Sequence, residues 1–173
     1  MQELYEILKY TLPSIIVFFA VFFVLKKFLD NEYRKSVFDL RKSNLRQITP
    51  IRLQAYERST LFLERIGMEN LITRVSKPGM MAEQLHLTII TSIRSEYEHN
   101  LSQQIYMSSD AWEAVKIARE ETLKIVHTAR ASTKPKGSAI ELTTNIFAEL
   151  EGIDIPPNQK AIAILKKEVR SLF

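Results

Sequence analysis

The sequence has no cysteine and only four glycines, at positions 67, 79, 137 and 152. Without cysteine there are no disulfides and no thiolate-ligated zinc or iron–sulfur centres, and the chain suits a reducing compartment. So few glycines argue against a sheet protein, whose turns consume them. Each of the four falls where a helical pattern stops. The sequence also lacks a Walker loop, a G-x-G-x-x-G turn and a G-x-S-x-G elbow, so no phosphate cradle or nucleophile elbow is visible.

What the chain does have is one long apolar run. Tyr10 to Leu25 reads YTLPSIIVFFAVFFVL and carries no charge. As a helix it covers about 24 Å, short of a hydrocarbon core of about 30 Å. Extending it from Ile7 to Leu29, with Lys9, Lys26 and Lys27 snorkelling to the headgroups, gives about 34 Å. Pro13 lies in the first turns, where a missing N–H costs least. A cleaved signal peptide fits less well, because Glu3 and Glu6 precede the run and no A-x-A pattern follows it. A buried core helix fits less well too, since FFAVFF is apolar on every side. The reading is a transmembrane anchor over residues 1–29.

Charge gives the anchor a direction. Lys26, Lys27, Arg34, Lys35, Arg41 and Lys42 follow the run closely, against Lys9 alone before it. The positive-inside rule places the N-terminus outside and the rest in the cytoplasm. In a two-membrane bacterium this means the inner membrane, since outer-membrane spans are barrels. The same six residues are the expected contacts with anionic lipid. The chain carries a net charge of +4, and residues 26–58 hold the whole surplus, while residues 59–173 balance. A nucleic-acid tether through residues 26–58 is the competing reading of that charge. No zinc-finger spacing or aromatic-rich RNA signature supports it, so no nucleic-acid partner is expected.

Residues 30–49 form a basic juxtamembrane helix. It carries a partial stripe of Leu29, Tyr33, Val37, Leu40 and Ile48, and Asn44 falls on that stripe as a register residue does in a coiled coil. The segment either stands as a stalk or lies on the membrane. Pro50 is expected to break it. A helical core then occupies residues 50–131. Leu53, Tyr56, Thr60 and Leu63 mark one helix, stopped by Gly67, and a short helix covers Met68–Val75. After the turn Lys77-Pro78-Gly79 a long helix runs from Met80 to Tyr106, with Leu85, Ile89, Ile90, Ile93, Tyr97, Leu101 and Ile105 facing inward. Ser109 or Asp110 is the expected cap of the next helix, whose stripe is Trp112, Val115, Ala118, Ile125, Val126 and Ala129. Tyr56, Phe62, Tyr97 and Trp112 sit on or beside helical stripes and are expected in the core. Residues 132–138 (STKPKGS) read as an exposed linker. Residues 139–173 form a C-terminal helical pair, one helix marked by Ile140, Phe147 and Leu150, the other by Ile162, Leu165, Val169 and Leu172. The fold class is all-α: an N-terminal transmembrane helix and stalk, then a small cytoplasmic helical bundle.

The sharpest chemical motif is Glu-x-x-His, present at Glu83–His86 and Glu96–His99. Di-iron bundles use two such pairs. Here both lie on one helix, about 19 Å apart along its axis and about 220° around it, so they do not share a metal. The plainer reading puts His86 at the core edge and His99 on the surface. His127, near a helix C-terminus, interacts favourably with the dipole and has no triad partner at a telling spacing. No catalytic, cofactor or metal residue is assigned. Glu96, Glu98, His99, Gln103 and Gln104 form a polar face that reads as solvated or as a partner surface.

Two stretches are distinctive: Leu53-Gln54-Ala55-Tyr56-Glu57-Arg58 with Leu61-Phe62-Leu63-Glu64-Arg65-Ile66, and Glu96 through Tyr106, EYEHNLSQQIY. On these the chain resembles a family of uncharacterised single-span membrane proteins of Bacteroidota bacteria. The resemblance implies a bacterial inner-membrane setting and supplies no reaction and no catalytic residues. The expected function is therefore a non-enzymatic membrane-anchored interaction or scaffold module. It would hold lipid through its anchor and basic stalk, bind a protein partner or a second copy of itself, and need no cofactor. The alternative is a tethered metal-binding or hydrolytic enzyme using His86, His99 and neighbouring glutamates.

Overall fold

The computed structural model describes residues 2–172; the side chains of residues 2–8, 13, 44 and 45 lie outside the description. Among the described residues the chain is all helical, with six α-helices and one 3₁₀ turn. It divides into two compact units, Met1–Thr49 and Pro50–Phe173.

The first unit is helical throughout, within α1 (Gln2–Ile66). Its stripe residues Leu29, Tyr33, Leu40 and Ile48 are exposed. The side chain of Asn44, expected to set a register, falls outside the described residues.

Pro50 does not end α1, which continues to Ile66. A proline inside a helix removes one backbone hydrogen bond and costs about 3 kcal/mol. Downstream, Phe62, Leu63 and Ile66 are fully buried. Each such side chain contributes about 1.5–3 kcal/mol, enough to hold the helix together past the proline. The buried face differs from the expected stripe: Ala55, Tyr56, Ser59, Phe62, Leu63 and Ile66 point inward, while Leu53 is 47% exposed.

The second unit continues with α2 (Met68–Val75), α3 (Ala82–Asn100), α4 (Ser109–Ser132), α5 (Ala139–Glu151) and α6 (Pro157–Leu172). The turn before α3 needs Gly79, whose φ of +77° is the left-handed region that side chains disfavour. The expected Met80–Tyr106 helix is shorter. After Asn100 the chain tightens into a 3₁₀ turn, Leu101–Ile105, which rotates Leu101 and Ile105 to the surface. α4 is capped by Ser108, ahead of the expected Ser109 or Asp110; its Oγ accepts the Ala111 N–H at 3.0 Å. All six residues of the expected α4 stripe are buried. α3, α5 and α6 all pack on α4, so the two C-terminal helices join the core of residues 50–131. Their expected markers hold in part: Ile162 and Leu165 are buried, but Ile140 and Leu172 are exposed and Leu142 and Ile146 fill the core for α5.

Residues 132–138 are less free than a linker. Thr133 and Gly137 are buried, and an antiparallel bridge joins Met81 to Ser138. Ala82 donates to the Gly137 carbonyl and Ala139 to that of Met80, both at 3.0 Å. This pins the starts of α3 and α5 to each other and satisfies two end-of-helix donors.

Leu85 is completely buried. Leu85→Ala is expected to lower unfolding free energy by about 2–5 kcal/mol, and Leu53→Ala by under about 1 kcal/mol. Denaturant unfolding followed by fluorescence of the sole tryptophan, Trp112, measures both. Equal losses would put Leu53 in the core.

Candidate functional site

Two features carry physical chemistry beyond core packing. The first is the apolar run. Every described side chain from Lys9 to Ser36 is exposed, including Ile15, Phe18, Phe19, Phe22 and Phe23 at 50–65%. Contiguous apolar surface of this size marks a site of contact with a partner or a membrane. Among the described residues one helix is long and apolar enough to cross a membrane, with a best-window mean hydropathy of 2.1. The flanking Lys26, Lys27, Arg34, Lys35, Arg41 and Lys42 are exposed as well, and Lys35 pairs with Glu32 at 3.3 Å.

The second is a histidine pair between α3 and α4. His86 Nε2 lies 3.1 Å from His127 Nδ1, with the rings nearly edge to face. One turn away Arg130 grips Glu83, its Nε at 2.9 Å and a terminal nitrogen at 2.8 Å from the carboxylate. Glu83 precedes His86 by three residues and Arg130 follows His127 by three, which is the pairing an antiparallel helix hairpin makes. That mirrored spacing is the signal by which the sequence could have exposed the cluster; His127 alone offered none.

Burial lowers the pKa of His86 below its ordinary 6.5, and the charge of His127 pushes the same way. Arg130 adds to this and Glu83 opposes it. His86 is thus favoured neutral, half-buried, with its Nδ1 enclosed and without a partner.

The remaining singled-out residues stay apart from this pair. His99 is exposed, with Nδ1 3.1 Å from the Ser95 carbonyl of its own helix. Glu96 is drawn into ion pairs with Arg65 at 2.7 Å and Arg74 at 3.9 Å. Of the expected partner face, Glu98, His99 and Gln104 are exposed and Gln103 is half-buried. Among the described residues no three or more His, Asp or Glu side chains stand together as a metal site. Tyr56, Phe62, Tyr97 and Trp112 are core residues, as their stripes indicate. Tyr97 stacks on Trp112 at 5.6 Å, and the Arg119 guanidinium sits 4.0 Å above the Tyr97 ring.

A family model matches residues 2–172, and the chain belongs to that family, the Family of unknown function (DUF7935). No curated protein and no solved structure matches it.

A histidine whose pKa is lowered by folding binds fewer protons in the folded state than in the unfolded one. Its contribution to stability is fully present above 6.5 and is lost as pH falls below that value. The unfolding midpoint is therefore expected to drop between about pH 7.5 and about pH 5, and His86→Gln is expected to flatten that drop. An unchanged slope in His86→Gln would show that other groups cause it.

Proposed function

We propose that this chain is a single-span protein of the bacterial inner membrane. Its N-terminus faces out, its helical domain lies in the cytoplasm, and it acts as an anchored, non-enzymatic interaction module. The observation that carries the reading is the run Ile15–Leu25, eleven consecutive apolar residues exposed on all sides of one helix. Lipid is the solvent that removes this penalty. The basic residues that follow, worth about 1 kcal/mol each near an anionic surface, favour the cytoplasmic side for the domain. The interaction role is supported by the exposed polar end of α3, with Glu98 and His99, and by Gln104 in the 3₁₀ turn that follows, set on an otherwise well-packed helical scaffold.

The absence of cysteine makes topology easy to read. In spheroplasts an impermeant maleimide is expected to label Gln2→Cys and to spare Ser132→Cys until the membrane is opened. Labelling of Ser132→Cys from outside would reverse the orientation. Extraction of the protein by carbonate alone would remove the anchor. Cross-linking in native membranes followed by mass spectrometry tests the interaction role. Recovery of the protein alone would count against it.

A further inference from the structure

The N-termini of α2 and α6 abut. α2 begins at Met68, just after Gly67, and α6 begins at Pro157. A Cβ on residue 67 would lie 2.9 Å from Asn158 Nδ2 and 3.2 Å from the Glu64 carbonyl oxygen. A side chain at this position would displace the Asn158 amide. The two helix ends share a cavity of about 210 Å³, small beside the ~300–1,000 Å³ of sites for drug-sized ligands.

The wall of this cavity is rich in unused donors. The first N–H of α2 with a backbone acceptor is that of Leu71, and the first of α6 is that of Lys160. Ahead of them, the N–H groups of Met68, Glu69, Asn70, Asn158 and Gln159 have no intrahelical carbonyl to reach. No side chain caps α2. Asn158 is only 8% exposed, and its amide makes no hydrogen bond among the described residues. The amide belongs to a residue that lines the cavity, where its donors and acceptor remain open to a ligand. Two positive helix ends and this amide together call for an anionic acceptor.

The opposite chemistry lines the same cavity. Glu64 and Glu69 are among its lining residues, and so is the buried Thr122. The Thr122 hydroxyl gives its proton to the Ala118 carbonyl at 2.7 Å, so it has only lone pairs to offer. Two carboxylates repel a phosphate dianion and attract a cation. Ile66, Met68, Ile125 and Leu150 supply apolar wall.

We infer that this cavity binds a small zwitterion, an aliphatic α-amino acid. Its carboxylate meets the helix ends and Asn158, its ammonium faces Glu64, Glu69 and Thr122, and its side chain lies on the apolar wall. The inference goes beyond membrane anchoring and does not rest on it.

The test is calorimetric titration of the full-length chain in detergent micelles with L-leucine. Isocaproate and isopentylamine, which carry only the carboxylate or only the ammonium, serve as half-ligands. Leucine is expected to bind saturably and one to one, and each half-ligand at least about tenfold more weakly. Asn158→Leu is expected to weaken leucine at least about tenfold. Should that variant not fold, Glu64→Gln decides, weakening leucine and not weakening isocaproate, since it removes a carboxylate that attracts the ammonium and repels the anion. Absence of saturable leucine binding at millimolar concentration would overturn the inference. So would isocaproate binding as tightly as leucine, or undiminished leucine affinity in a folded Asn158→Leu.

Discussion

The helical domain depends on how closely its neighbours can approach α4. Ala111, Ala114, Ala118 and Ala129 are all buried on that helix, and α3, α5 and α6 pack on it. Small side chains at a crossing allow short interaxial distances, and larger ones push the partner away. Between the alanines sit Trp112, Val115, Ile125 and Val126, which fill the volume that the close approach leaves. A single helix can serve three neighbours only because its surface alternates room and bulk in this way.

Polar groups then fix the angles and ends of what packing brings together. The Glu168 carboxylate of α6 accepts the Tyr56 hydroxyl of α1 at 2.5 Å and the Ser108 hydroxyl, the cap of α4, at 2.7 Å. Burial, and the hydrogen bond to Glu168, raise the Tyr56 pKa, so that hydroxyl remains a donor at physiological pH. Charge-assisted bonds of this kind are shorter and stronger than neutral ones. They tie three helices far apart in the chain at one point. The bridge between Met81 and Ser138 does the same for the starts of α3 and α5.

The two units dispose their apolar residues differently. In residues 50–173 the apolar side chains of each helix find partners in one core. In residues 1–49 the apolar run is exposed on every side and followed by basic residues. The first pattern is that of a domain stable in water. The second is that of a helix long and apolar enough to cross a membrane.

Much was legible in the sequence. The 3.6-residue period marks α3, α4 and α6, the four aromatics of the core and the membrane-length run, because each rests on neighbours within a few turns of the same helix. The reading failed where a distant partner decides. Pro50 is carried through because Phe62, Leu63 and Ile66 are buried, and Ser108, bonded to Glu168, caps α4 in place of the expected Ser109 or Asp110. Residues 132–138 are pinned by Met80 to Ala82, and His127 gains meaning only beside His86. Gly67 stops α1 as its position indicates, but its second contact, with Asn158 ninety-one residues later, was not legible. Sequence by itself determined helical class, the long apolar run and the distribution of charge, since these depend on composition and short-range period. Tertiary structure alone decided which polar groups meet, because hydrogen bonds and helix ends act over a few ångströms and the chain brings those ångströms together only by folding.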